Sequence, residues 1–283
     1  TDMDIEGNIA FITGGDFAAS LDISDPASPE LLYYADLNGA PLDIDYQAGK
    51  LYLAAGGMGL GAFLVPNPAQ MFFLGCQKGV YTTVTGHGGR IYYGRLDEEK
   101  PGEKPIFGDR IFSMPFKSPA AVKARGNYLY AGGLTNFAVY GLSDAGDRPE
   151  LLWNMPNLPT VDCVLNEDMI YLANNERGLS AFQLTDPETP VEVGRLVTYD
   201  APRRGSVYDE DLFVAAGKSG VLRYDLANPR FPRLIDSLAC GDLQMAWDVK
   251  PYGENIYVLG ARETAAGDNI FIRQYDGDGD FST

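Results

Sequence analysis

Apolar and polar positions alternate with a period of two through most of the chain, in short runs. Leu42-Asp43-Ile44-Asp45, Leu51-Tyr52-Leu53-Ala54, Leu60 to Val65 and Met71-Phe72-Phe73-Leu74 follow one another. Gly49, the Gly56-Gly57-Met58-Gly59 stretch, and Pro66 with Pro68 separate them. Alternation punctuated by Gly and Pro at such intervals predicts antiparallel strands joined by tight turns. No helical period of useful length competes with it.

The second of these runs recurs. A small or polar pair precedes an apolar-aromatic-apolar stretch, with the aromatic at Phe11, Tyr52, Tyr92, Tyr130, Tyr171, Phe213 and Tyr257. The spacings are 41, 40, 38, 41, 42 and 44 residues, so seven copies account for the 283-residue chain. Four short strands per repeat of about 40 residues is the arithmetic of a β-propeller blade. Sheets this small cannot bury their own faces, and radial stacking lets each cover the next. The repeated aromatic then reads as packing between blades and not as a ligand ladder. The predicted fold class is all-β: a single seven-bladed β-propeller with four-stranded antiparallel blades at about 2–38, 41–76, 79–116, 119–156, 159–199, 203–240 and 244–283.

A second signature lies between the predicted third and fourth strands. It reads Leu21-Asp22-Ile23-Ser24-Asp25-Pro26-Ala27-Ser28-Pro29, Phe182-Gln183-Leu184-Thr185-Asp186-Pro187-Glu188-Thr189-Pro190 and Tyr224-Asp225-Leu226-Ala227-Asn228-Pro229-Arg230-Phe231-Pro232. Asp or Asn before Pro suits a turn, since the side chain accepts local N–H groups and Pro fixes φ. The second Pro starts the outer strand, where a missing N–H costs nothing. Together these segments resemble the LVIVD repeat, a family of β-propeller proteins found mostly in bacterial and archaeal exported or cell-surface proteins. The resemblance covers nearly the whole chain. It implies the fold and an exported, cell-surface, extracellular or periplasmic location, and it transfers no catalytic residue.

Two repeats depart from the pattern. In the third, Tyr92-Tyr93-Gly94 runs quickly into Leu96-Asp97-Glu98-Glu99-Lys100-Pro101, so a shortened turn and a distorted blade are expected. In the seventh, Arg262 to Asp268 is expected to lengthen a turn, and little chain remains after Tyr275 for a fourth strand beyond a stub at 280–283.

Charge narrows the partners. With 22 Lys+Arg against 39 Asp+Glu the net charge is −17, which repels a phosphate backbone, so no nucleic-acid partner is expected. No apolar run is long enough to span a membrane, and no direct membrane insertion is expected. The chain begins at Thr1 without a leader, which reads as a processed or trimmed fragment. Cys76, Cys163 and Cys240 are too widely spaced for a zinc motif and odd in number, so free structural thiols are expected. Cys76 and Cys240 fall at equivalent repeat positions. The single His87 sits in a predicted Gly-rich turn with no nucleophile beside it.

The loops entering each blade are expected to share a face with the turns between second and third strands. Candidate ligand- or partner-binding residues there are Asp16, Arg177, Arg203, Arg204, Lys218 and Asp242. Arg203-Arg204 is the most notable basic pair in an acidic chain, suited to a carboxylate or an acidic partner. Asp276-Gly277-Asp278-Gly279-Asp280 resembles the start of a calcium loop but has Phe281 where a Gly is needed, so Asp276, Asp278 and Asp280 are weak metal candidates only. No cofactor is otherwise expected, Ca²⁺ being the sole candidate. Asp4, Asp43 and Asp45 on predicted innermost strands suggest a polar channel. The reading is a non-catalytic binding or scaffold propeller for a protein or extracellular polymer. An extracellular glycan-acting enzyme using channel-mouth carboxylates and an accessory module of a larger exported protein are the alternatives.

Overall fold

The computed structural model describes residues 1–97, 110–113, 119–143, 148–175, 178–198, 200–239, 244–264 and 267–275, with 110–113 and 262–275 described by their backbone alone. Five sheets have four strands in chain order. They comprise β1 (Asp2–Glu6), β2 (Ile9–Gly14), β3 (Phe17–Asp22) and β4 (Glu30–Asp36); then β5 (Asp43–Gln47), β6 (Lys50–Ala54), β7 (Leu60–Asn67) and β8 (Gln70–Gln77). After a gap in this series come β12 (Pro119–Arg125), β13 (Tyr128–Gly133), β14 (Asn136–Gly141) and β15 (Glu150–Pro156); β16 (Asp162–Asn166), β17 (Met169–Ala173), β18 (Leu179–Gln183) and β19 (Val191–Leu196); and β20 (Arg204–Tyr208), β21 (Asp211–Ala215), β22 (Val221–Asp225) and β23 (Arg233–Leu238). Two further sheets have three strands: β9 (Tyr81–His87), β10 (Arg90–Arg95) and β11 (Arg110–Ser113), and β24 (Met245–Tyr252), β25 (Asn255–Thr264) and β26 (Gly267–Tyr275). The chain forms two compact units, Thr1–Gly133 with Tyr140–Leu151 and Leu134–Val139 with Leu152–Thr283.

The repeated aromatics are core. All seven are buried, none more than 4% exposed. In the first unit, Phe11 and Ala18 of one sheet pack on Ile44, Leu51, Leu53 and Phe63 of the next, and the Phe11 ring stacks on Tyr46 at 4.6 Å. Tyr52 and Leu60 continue the pattern onto Tyr81, Val84 and Ile91. In the second unit, Tyr171 and Ala181 pack on Leu212, Val214 and Leu222, and Phe213 on Val249, Ile256 and Val258. The spacing of about 41 residues is therefore the spacing at which each sheet needs one large apolar side chain for its neighbour.

The Asp/Asn-Pro segments form the turns that their composition predicts. Asp25 Oδ1 accepts the Ala27 N–H at 3.1 Å, Asp186 Oδ1 the Glu188 N–H at 3.0 Å, and Asn228 Oδ1 the Arg230 N–H at 3.3 Å. Pro29, Pro190 and Pro232 each stand immediately before an outer strand. Turns of this composition also receive a bond from the preceding sheet. The Tyr171 hydroxyl donates to the Pro229 carbonyl at 2.8 Å in the second unit, and in the first Ser20 Oγ donates to the Pro68 carbonyl of the Asn67-Pro68 turn between β7 and β8 at 2.5 Å.

The structure corrects the sequence reading at three places. Pro66 does not break β7; the strand runs on to Asn67 and the ladder skips from Leu64 to Asn67, because proline has no N–H to give. The third repeat departs from the antiparallel pattern, as its irregular sequence led one to expect: among the described residues it has three strands in the order β11-β10-β9, with β10 and β11 parallel. The chain leaving β10 closes on itself. The Arg95 side chain, 3% exposed, forks onto Asp97 at 2.7 and 2.8 Å. Asp97 Oδ1 also accepts the Val80 N–H at 2.7 Å, and the guanidinium lies 5.3 Å from the Tyr81 ring centre. In the seventh repeat the extra residues lengthen two strands and not their turn, since β25 and β26 pair out to Thr264 and Gly267. The expected stub at 280–283 lies outside the described residues.

Replacing Tyr171 by Phe deletes one part-buried sheet-to-turn bond and keeps the ring. It should lower the unfolding free energy by about 1 kcal/mol with the denaturant slope unchanged. Urea unfolding of the two proteins measures this, and an unchanged midpoint would show that the Pro229 contact contributes nothing.

Candidate functional site

The repeated aromatics set one register along the innermost strands. Asp4 stands opposite Phe11, Asp45 opposite Tyr52, Thr85 opposite Tyr92, Lys123 opposite Tyr130, Val164 opposite Tyr171, Ser206 opposite Phe213 and Lys250 opposite Tyr257. Two residues earlier on the same strands stand Asp2, Asp43, Thr83, Ala121, Asp162, Arg204 and Asp248. The four aspartates of this second set are each 3% exposed or less.

Three of them bridge to the next sheet. In the first unit, Asp2 Oδ2 accepts the Ile44 N–H at 2.8 Å, and Asp43 Oδ2 accepts the Val84 N–H at 2.8 Å and the Thr83 hydroxyl at 2.6 Å. In the second, Asp162 Oδ2 accepts the Gly205 N–H at 2.8 Å. Asp4 makes the same link one step along, accepting the Tyr46 N–H at 2.8 Å. A buried backbone N–H without a partner is costly, and a charge-assisted bond is the strong way to satisfy it. The sequence reading did not foresee this role. Its only sign there is the recurrence of Asp two residues before the position facing the aromatic.

Asp45 differs from its neighbours. Its Oδ2 accepts the Thr85 hydroxyl at 3.3 Å and the Gly86 backbone N–H also favours its ionised form, while Oδ1 is buried with no hydrogen-bond partner among the described residues. Burial first, and then the charge of Asp4, push its carboxyl up to about 7, with Lys123 pulling the other way.

The face carrying the turns between second and third strands is held rigidly. Gly56 and Tyr81 exchange backbone bonds at 2.9 and 3.1 Å in the first unit, and Gly217 and Ala246 at 3.2 and 2.8 Å in the second. Each pair joins a turn to the innermost strand of the following sheet. The incoming loop grips the same turn. Asp200 Oδ2 accepts the Lys218 N–H at 2.8 Å, and Oδ1 the Ala201 N–H at 2.8 Å. These backbone donors, together with Arg203 nearby, hold its carboxyl below the usual range. Gly217 sits at φ +54, where a Cβ would stand 2.8 Å from that Asp200 oxygen. One sheet earlier, Asn174 Nδ2 donates to the Pro159 carbonyl at 3.0 Å.

The sequence-derived candidates fall out as follows. Arg203 and Lys218 are exposed and both surround Asp200, so the structure brings these two together. Arg204 is the first residue of β20, at the register position of the bridging aspartates, and is half-buried. Asp16 is exposed in the first unit, its carbonyl accepting the Leu37 N–H at 2.5 Å. Arg177, Asp242 and the Asp276, Asp278 and Asp280 set lie outside the described residues, as does Cys240. Cys163 is buried in β16 and Cys76 half-buried in β8, neither in a disulfide. His87 ends β9 and its Nε2 bonds the Gly126 carbonyl at 2.8 Å, tying one hairpin turn to the next. Among the described residues no three His, Cys, Asp or Glu side chains converge as a metal site, and no helix is long and apolar enough to cross a membrane.

The fold these sheets build is a β-propeller, as comparison with solved structures shows. The Cps50 (Swd1) β-propeller domain of Myceliophteria thermophila matches with a TM-score of 0.68 at 9% identity, over 96% of this chain and 98% of that one. A provisionally assigned 6-phosphogluconolactonase of Bacteroides fragilis matches with a TM-score of 0.68 at 13% identity, over 95% of each chain. A chain of a nidogen/laminin complex matches with a TM-score of 0.58 at 11% identity, over 85% of this chain and 96% of that one. No protein-family model and no curated protein sequence matches the chain.

Asp45 makes the stability depend on pH in a defined sense. Its unfolded-state value is about 3.9, so between about pH 4 and 7 the folded state holds a proton that the unfolded state has released. Stability owed to this group is full below pH 4 and is lost as pH rises to 7 and beyond. The full loss is at most about 4 kcal/mol, roughly three pH units at about 1.4 kcal/mol each. Asp45→Asn removes it. The variant should exceed the parent in urea resistance at pH 8 and lose that advantage near pH 4, whereas parallel pH profiles would show that Asp45 is not strained.

Proposed function

We propose that the chain is a non-catalytic binding propeller, a scaffold that recognises a protein or an extracellular polymer through the face carrying the turns between second and third strands. The observation that carries this reading is the double anchoring of those turns, by the incoming loop at Asp200 and by the next sheet at Gly56–Tyr81 and Gly217–Ala246. Turns held this way present side chains with little ordering entropy left to lose on binding. Exposed Arg203 and Lys218 then offer cationic contacts on a protein of net charge −17, which favours an acidic or carboxylate-bearing partner. The nidogen/laminin chain lends a further analogy, since that similar structure is of a protein–protein complex.

The finer expectations belong to the same proposal. Seven repeats support seven blades at the limits given above, the third shortened and the seventh atypical; the resemblance to the LVIVD repeat supports an exported or cell-surface location. No cofactor, nucleic acid or membrane insertion enters the reading. A second reading rests on Asp45 beside Asp4: a carboxyl pushed up to about 7 by burial and by a neighbouring carboxyl has the electrostatics of one member of an acid/base pair.

Arg203→Ala combined with Lys218→Ala should leave the melting temperature within about 1–2 °C of the parent, since exposed substitutions rarely shift stability much. The same pair should abolish capture of whatever partner the parent protein retains in crosslinking. Polysaccharide turnover by the parent, lost on Asp45→Asn and kept in the Arg203/Lys218 variant, would replace the binding reading with the enzymatic one.

A further inference from the structure

A cavity of about 130 Å³ opens at the other end of the sheets of the second unit, between β21–β22 and the β24–β25 turn. In an antiparallel sheet the first and second turns lie at opposite ends, so this cavity is remote from Asp200 and Lys218. Its walls are largely apolar, with Tyr208 and Phe213 the aromatic surfaces. Arg223 lies against Phe213, its guanidinium carbon 5.7 Å from the ring centre, and both its Nε and Nη2 donate to Asp211 Oδ2, at 2.8 and 2.6 Å. That cation is thus neutralised within the wall. At the mouth stand Asp209 and Glu254, one from each flanking hairpin turn, both exposed and without a partner among the described residues.

We propose that this cavity takes a single lysine or arginine side chain presented by a protein partner. The volume suits one side chain and is well below that of a nucleotide or drug-sized pocket. Apolar walls accept the methylene stem, and the two mouth carboxylates meet the charged head. An anion would face both carboxylates, and a hydrated inorganic cation would leave the aromatic walls unfilled. Arg223 on Phe213 already shows that this surface stacks a guanidinium. The neighbouring hairpin turns extend the field: Glu167-Asp168 and Asp209-Glu210 are wholly acidic, whereas Gly7-Asn8, Ala48-Gly49, Gly88-Gly89 and Gly126-Asn127 of the first unit carry no charge. The proposal stands on residues distinct from those of the binding face above and does not depend on it.

The test is titration of the full chain with three acetylated and amidated pentapeptides, Gly-Gly-Lys-Gly-Gly and its Arg and Gln counterparts, followed by the backbone amide shifts of Asp209, Phe213 and Glu254. The Lys and Arg peptides should shift these signals saturably and the Gln peptide should not. Asp209→Asn with Glu254→Gln, both exposed and isosteric, should keep the melting temperature and weaken binding about fivefold, the size of two exposed ion pairs. Arg203→Ala with Lys218→Ala should leave it unchanged. Equal shifts with the Gln peptide, no saturable shift with the basic ones, or an affinity indifferent to Asp209 and Glu254 would each overturn the proposal.

Discussion

The bond on which the rest depends is the one from a buried aspartate to a backbone N–H of the next sheet. Sheets stacked face to face share no hydrogen-bond ladder, and apolar packing alone is tolerant of sliding. Asp2 to Ile44, Asp43 to Val84 and Asp162 to Gly205 each fix one sheet against the next at a single residue. The geometry is directional and the atoms are buried, so a slip leaves both a carboxylate and an N–H unsatisfied. Aromatic burial supplies the bulk of the attraction between sheets, and the carboxylate sets the register in which that burial occurs.

Function follows from what the register makes rigid. With the innermost strands fixed, the turns between second and third strands reach Tyr81 and Ala246 of the following sheets and are held there. At the other end, His87 binds Gly126 and Arg90 Nη1 donates to the Ser143 carbonyl at 2.7 Å, so hairpin turns are also tied. Both ends of the sheets are therefore platforms of fixed turns. Such a scaffold fits recognition, and the same carboxylates that would serve as acid and base are, Asp45 apart, already engaged as backbone acceptors.

The repeat and its packing were legible in the sequence because burial demands one aromatic per sheet, and because Asp-Pro and Asn-Pro encode their own turn. The bridging aspartates were not legible in that way. Alternation sets Asp43 and Asp45 on one side of any strand, and only the neighbouring sheet decides that Asp43 accepts the Val84 N–H in close contact while Asp45 keeps one oxygen buried without a partner among the described residues. The third repeat was visible as an irregularity, but its parallel β11 and the Arg95–Asp97 closure were not, since charges beside a turn read as solvated. Of the proposed binding residues, Arg203 and Lys218 converge on Asp200, a residue whose role comes from its acceptor geometry and not from any motif. The cavity beside Arg223 draws on two hairpin turns 44 residues apart, Asp209-Glu210 and Gly253-Glu254, and no local pattern joins them.

Native-state hydrogen exchange of the Ile44, Val84 and Gly205 amides tests the central claim most directly. If the aspartate bridges hold the sheets in register, these three amides open only with global unfolding and exchange as slowly as the core amides of β6, β17 and β21. Exchange at the rate of exposed turn amides such as those of Gly88 and Gly253 would contradict it, leaving apolar packing alone to align the sheets.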